Sequence, residues 1–452
     1  MKKLKVLSAS VVLGLSLTTL TACGSDSSNN NTDANNTNST SSGDTSGEQT
    51  TLTVWGWGAP TEKQIAGFEA ANPNIKIDYN NTGTASDTAL ALSNAVQAGS
   101  GAPDVTMLEA VNVPQFALSG ALEDLSTFGA DKLKDQYVAG AWNKIEYDGK
   151  PYAMPNGGAT MVFFYNKAVF DQAGIAEAPK TWDEYYEDAK KVAALGGGHF
   201  MTNDTGDKDS YSEFNAMLWQ AEAQPYKVDG TNITISLDGS DANAQKFFDL
   251  KQKMIDEKLL DTKTKQWSDD WFRGLNDGTI ASLVIGAWMP INLESNAPDA
   301  AGDWRVAQLP QWTEGGTASA EDGGDSFSVV KSSEKKDAAW KFVEYMTHGE
   351  GAQIGVDNGV FPTNLNILQS PEFTAPENEY FGGQKVNEVL AAAAALPASQ
   401  FSFLPYNAYA QPTYGDIMGK AFTGEKSYAD ALKEYQDNLV EYGNLQGFSV
   451  NK

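Results

Sequence analysis

From Thr51 onward the chain alternates strand-patterned runs with helical ones, and that order limits the architecture more than any other feature. Leu52-Thr53-Val54-Trp55 alternates as a strand, and Gly56-Trp57-Gly58-Ala59-Pro60 follows as a loop. Thr61 then stands as an N-cap, with Ile65 and Phe68 on one helix face until Asn72-Pro73 stops the run. Residues 75–79 read as a second strand. Residues 89–96 form a helix broken by Gly99-Ser100-Gly101, and 104–108 form a third strand. Strands alternating with helices predict an α/β fold built on a parallel, doubly wound sheet. Ligands of such sheets bind outside the carboxyl ends of the strands. Here those ends are Trp55–Ala59, Asn80-Asn81 and Glu109-Ala110.

The segment ahead of this body follows different rules. Met1-Lys2-Lys3-Leu4-Lys5 is basic, and an apolar run continues to Leu20, broken by Ser, Gly and Thr. That run is about 15 residues, short for a bilayer span of ~20. A charged start, a short apolar stretch and small residues before a cut mark an exported, processed N-terminus. Leu20-Thr21-Ala22-Cys23 contains the only cysteine. It resembles the lipobox of bacterial lipoproteins, which implies a signal peptide at 1–22 and diacylglycerol on the Cys23 sulfur. An ordinary signal peptide that contains a cysteine is the alternative. Residues 23–50 are almost all Ser, Asn, Thr, Asp and Gly. They bury too little to offset chain entropy and are expected to form a disordered, lipid-anchored tether with a reach of roughly 25–30 Å.

Composition narrows the partners. The chain of 452 residues carries a net charge of -27, and removal of the leader takes three lysines, leaving 29 basic against 59 acidic residues. Such a surface is repelled by nucleic acid and anionic lipid. The folded length exceeds one core and predicts two domains. A single cysteine leaves no disulfide in the mature chain. Only Arg273 and Arg305 are arginines. Arginine is the usual fork for carboxylate and phosphate, so its scarcity favours an uncharged ligand.

Further stretches carry a family resemblance. After the first strand come Trp57-Gly58, Phe68-Glu69 with Pro73, and Ala102-Pro103-Asp104-Val105. Gly149-Lys150-Pro151-Tyr152-Ala153-Met154-Pro155 precedes Phe163-Phe164-Tyr165-Asn166-Lys167, and Thr181 with Glu184 forms a capping box. Gly286-Ala287-Trp288 follows a strand at 281–285. The helix that starts at Lys335 leads to Gly359-Val360-Phe361-Pro362-Thr363. Each motif is short, but their joint order from Thr51 to Tyr442 resembles family 1 extracellular solute-binding proteins, the sugar-binding subunits of ABC importers. The resemblance implies two α/β lobes, at 51–157 plus 310–360 and at 158–309 plus 361–452. Hinge crossings would join them, and a cleft between them would close on ligand. Independent helical spacing in the second lobe comes from Ala244, Phe247, Phe248, Lys251 and Met254, and from Leu432, Tyr435, Leu439 and Tyr442 behind Ser427.

A sugar site needs aromatic planes for C–H faces and short polar groups for hydroxyls. Trp57, flanked by glycines, lies open in the first strand-to-helix loop; Asn80 and Glu109 end the second and third strands. Trp55, the last residue of its strand, is expected in the core. The resemblance adds Trp288, where the family stacks a sugar, Asn156 and Gly157 at a hinge crossing, and the aromatic Tyr211. Gly324 and Asp325 precede the strand Phe327–Val330 and allow close approach. Tyr406 and Asn407 fall where the family's late aromatics reach the cleft. The implied partners are a neutral oligosaccharide and membrane permease subunits. The resemblance further implies a monomer without cofactor, held by its lipid alone at the outer face of the cytoplasmic membrane of a Gram-positive bacterium.

Two other classes compete. A lipid-anchored glycoside hydrolase would also use aromatics and a pair of carboxylates, and an adhesin or sensor could share the fold. No nucleophile elbow, P-loop or His-Glu-x-x-His motif occurs in the sequence. His199 and His348 are isolated, and the acidic turn 203–209 lacks EF-hand spacing.

Overall fold

A computed structural model describes residues 49–452. The expected signal peptide at 1–22, Cys23 and nearly all of the expected tether lie outside the described residues. The body opens with β1 (Thr50–Gly56), α1 (Ala59–Ala71), β2 (Ile75–Asn81), α2 (Ala85–Ala98) and β3 (Val105–Glu109). In β1, Leu52, Val54 and Gly56 point inward, as the alternation requires. β3 is buried along Val105–Leu108, as befits a strand covered on both faces.

α1 starts two residues before the expected cap. Pro60 suits a first helical turn, and the Thr61 hydroxyl instead donates to the Trp57 carbonyl at 2.8 Å. Trp55 is only half-buried and stands outside the core.

The first sheet runs β2, β1, β3, Asp325–Val329, Met154–Pro155. β1 is parallel to β2 and β3, as expected, but Asp325–Val329 is antiparallel to β3. The second sheet, Ser282–Gly286, Met161–Asn166 and Trp304–Ala307, is wholly antiparallel. The fold is therefore α/β with one mixed and one antiparallel sheet rather than purely parallel ones. A parallel, doubly wound sheet was expected from the first three strands; Asp325–Val329 instead joins that sheet in the opposite sense, where the chain returns from the other lobe.

Each sheet anchors one lobe of a two-lobed fold. Leu52, Phe68, Leu108, Phe327 and Phe342 share the first core. The second lobe has two clusters, one around Phe163, Phe214, Trp219 and Tyr435, the other around Phe164, Trp271 and Trp304. Leu309 and Ala320 belong to the second lobe's core, and Trp312 packs on it. Residues 310–320 thus pack with lobe two rather than lobe one, and we place that crossing at 321–325. Thr181 and Ser427 cap their helices by accepting from the Glu184 and Asp430 amides. The Glu184 carboxylate reaches the Lys180 amide rather than completing the box on Thr181.

Three chain segments lie side by side between the lobes. Gly157 bridges Pro362, and Thr160 bridges Glu321, both antiparallel. The Asp325 amide donates to the Gly157 carbonyl at 3.0 Å and the Gly158 amide to the Phe361 carbonyl at 2.8 Å.

Candidate functional site

Both lobes and a crossing segment face one cavity of about 400 Å³. Lobe one contributes Trp57, Ala85 and Glu109. Trp57 is held there because Gly58, at φ 83, turns the chain between β1 and α1. Lobe two contributes Asp209, Ser212 and Glu213 from the start of the helix Tyr211–Gln220, together with Gln266, Trp267, Ile285, Trp288 and Gln411. Asp322, Gly323, Gly324 and Asp325 form the crossing side.

The aromatic wall is rigid. The Trp288 Nε1–H donates to the Asp322 carbonyl at 2.8 Å. Its ring lies 5.5 Å from that of Trp267, at 32°. Trp267 is 43% exposed and sits at φ 67. An exposed indole in a left-handed backbone is costly, and such strain gathers at ligand sites.

The polar wall is acidic. Glu109 and Asp325 are direct partners across adjacent strands. Burial pushes the Glu109 carboxyl up to about 7; Lys144 opposes this, and Asp322 and Asp325 add to it. Burial also raises Asp322 and Asp325. Glu213 is raised by burial although Lys251 lies 3.4 Å away, that ammonium being bound at 2.7 Å by Asp204. Among the described residues no lysine or arginine lines the cavity.

These shifts set a pH dependence. The folded protein holds its cavity protons more tightly than the unfolded chain, so this contribution is full below about pH 4.5 and is lost as pH rises through 7. Asp104 moves the other way: burial opposes, but hydrogen bonds from Ser333 and Thr53 and the Lys335 ammonium lower it. Its contribution is lost in acid. The ligand-free protein should therefore melt highest near pH 5 and lower at pH 8. Glu109→Gln should flatten the alkaline decline in thermal scans; a decline of unchanged slope would remove Glu109 as its source.

Five expected site residues, Trp57, Glu109, Trp288, Gly324 and Asp325, line the cavity. Six do not, and the reasons are local. Asn80 is exposed on edge strand β2. The buried Asn156 amide is consumed within the protein, donating to Asp325 Oδ1 at 2.7 Å and accepting from Gln64 at 3.3 Å. Gly157 donates its amide to the same Asp325 oxygen at 3.2 Å, and a Cβ there would strike that carboxylate. Tyr406 is core: its hydroxyl donates to the Leu439 carbonyl at 3.1 Å and its ring packs on Tyr442 and Phe448. Tyr211 and Asn407 are buried and bonded to each other at 2.8 Å. Sequence reasoning missed Asp209, Ser212, Glu213, Trp267, Asp322 and Gln411. A tryptophan within the polar run Lys265–Asp269 was the one readable signal for Trp267.

Comparison with known proteins agrees with this geometry. Residues 56–353 match the family of bacterial extracellular solute-binding proteins. An arabinooligosaccharide-binding protein of Halalkalibacterium halodurans is 27% identical over 77% of this chain and 79% of its own length. The ABC transporter associated binding protein of B. animalis subsp. lactis Bl-04, solved in complex with beta-1,6-galactobiose, is 42% identical. It covers 89% of this chain and all of its own, with a TM-score of 0.79. The galacto-N-biose-/lacto-N-biose I-binding protein of Bifidobacterium longum shares the fold, with a TM-score of 0.75 at 24% identity over 90% of this chain and all of its own. A cleft walled by two lobes and a match across most of the body lead to one assignment: the chain belongs to the bacterial extracellular solute-binding protein family.

Proposed function

We propose that this protein captures a short, neutral oligosaccharide between its lobes and delivers it unaltered to the permease of an ABC importer. The observation that carries the reading is the shared cavity, lined by Trp57 from one lobe and by Trp267 and Trp288 from the other. Indole faces suit the C–H faces of sugar rings, and carboxylates accept hydroxyl protons. A lining without cations disfavours anionic ligands. About 400 Å³ is at the small end of ligand pockets, which favours few rings. The galactobiose complex of the relative at 42% identity makes β-galactobiose the first ligand to test.

Ligand bridging both lobes shifts the population toward the closed form, which the permease reads. Desolvating hydroxyls offsets much of the stacking gain, so micromolar affinity, roughly -8 kcal/mol, is expected. A thermal-shift screen over galacto-, arabino-, gluco-, xylo- and fructo-oligosaccharides tests the reading. A raised melting temperature with intact sugar recovered supports capture; cleaved sugar would instead make the protein a hydrolase.

The protein works as a monomer tethered through a lipid on Cys23 at the outer face of the cytoplasmic membrane. Cys23→Ala should move it from the membrane fraction to the soluble one. Full retention in the membrane pellet would exclude that anchor. Among the described residues no helix is long and apolar enough to cross a membrane.

A further inference from the structure

The ligand cavity is not the only space between the lobes. A second groove of about 500 Å³ lies against Pro114, Lys144 and Tyr147 of lobe one and Asp229, Phe403 and Pro405 of lobe two. A chain of buried side chains stands between the two spaces. The Tyr211 hydroxyl donates to Asn407 Oδ1 at 2.8 Å, and Asn407 Nδ2 donates across the lobes to Asn112 Oδ1 at 3.1 Å.

Along each segment of chain this row falls between residues of the two spaces. Glu109 lines the cavity and Pro114 the groove, with Asn112 between them. Gln411 lines the cavity and Pro405 the groove, with Asn407 between them. Tyr211 adjoins Ser212 of the cavity. Lys144 lines the groove while its ammonium donates at 2.6 Å to the carbonyl of Gly323, a cavity residue. None of Asn112, Tyr211 and Asn407 lines the cavity.

The geometry points to the Asn112–Asn407–Tyr211 row as the partition that ends the sugar cavity and sets how many rings it accepts. The inference rests on the sugar reading above. A disaccharide fits on the cavity side. A longer chain meets the wall and must break two buried hydrogen bonds to pass, which penalises it relative to the short one. With the wall removed, the groove becomes a continuation of the site, with the Tyr147 and Phe403 rings available to further sugar rings.

Titration calorimetry with β-1,6-galactobiose and β-1,6-galactotetraose tests this on the whole protein, or the same pair from whichever series gives the largest shift in the screen. The wild type should prefer the disaccharide by about tenfold or more, and Asn407→Ala and Asn112→Ala should each shrink that ratio to about threefold or less. A merely structural effect weakens both sugars alike. An unchanged ratio in either folded variant therefore overturns the partition, as does a wild type that binds the tetrasaccharide as tightly as the disaccharide, with no variant required. A wild type that binds only the longer sugars of the screen overturns the partition and leaves the sugar reading standing; one that binds no sugar of the screen overturns the sugar reading itself.

Discussion

Trp288→Ala is expected to weaken sugar binding by about 100-fold, since a central tryptophan truncated in a desolvated site typically costs ~2–4 kcal/mol. Two features make this indole more than added area. Its Nε1–H is fixed on the Asp322 carbonyl, so the plane is set before ligand arrives. Its neighbour Trp267 stands 5.5 Å away, so a sugar displaces water from a continuous aromatic wall. Little order needs to be imposed on binding, which is where affinity is gained. The fold should tolerate the change, because Trp288 is only partly buried at the edge of one cluster. Trp288→Phe should fall between, keeping a plane but losing the donor that orients it. Calorimetry with the best ligand of the screen, beside thermal unfolding of the free variant, checks both halves. Binding within about threefold of wild type in the folded variant would remove Trp288 from the contact surface.

The legible parts of the molecule share a property: their information is local. The first strands and helices were readable because Leu52, Val54 and Gly56 alternate and because Gly99 ends α2 in a left-handed cap. Trp57 and Glu109 were readable because strand ends announce themselves, Trp288 through the family resemblance, and Asp325 because glycines precede it. What escaped depends on distant partners. Nothing near Asp325–Val329 says that it runs antiparallel to a strand more than 200 residues earlier. Asn156 and Asn407 look like free amides until Asp325 and Tyr211 occupy them, from 169 and 196 residues away. Thr61 was misread because Pro60 starts the helix earlier, a competing local signal. Trp267 was missed because its orientation comes from a strained backbone angle, which no pattern of residue types encodes.

Lys144→Met should cost about 3–5 kcal/mol of unfolding free energy, the usual penalty when one partner of a buried ion pair is removed. The Lys144 and Glu321 side chains are 1% and 3% exposed, with Nζ and Oε2 3.6 Å apart. Glu321 also accepts from the Thr160 hydroxyl at 2.8 Å and the Ala159 amide at 3.2 Å. Those bonds hold its carboxylate in place after the ammonium has gone, so the charge cannot swing out to water. Met matches the lysine stem and leaves little cavity, so what is lost is the ammonium's own contacts, the 2.6 Å bond to the Gly323 carbonyl included. Glu321→Gln added to Lys144→Met should recover most of the loss: the amide keeps an acceptor for Thr160 or Ala159 and carries no charge to desolvate. Urea unfolding of the wild type and the two variants measures this. A single variant less than about 1 kcal/mol below wild type, or a double variant no better than the single, would show that the pair is not electrostatically coupled. Because such a pair stabilises little beyond what apolar residues would, its place in the fold follows from geometry. It ties the helix Ala139–Ile145 of lobe one to the crossing that presents Gly323, Gly324 and Asp325 to the cavity.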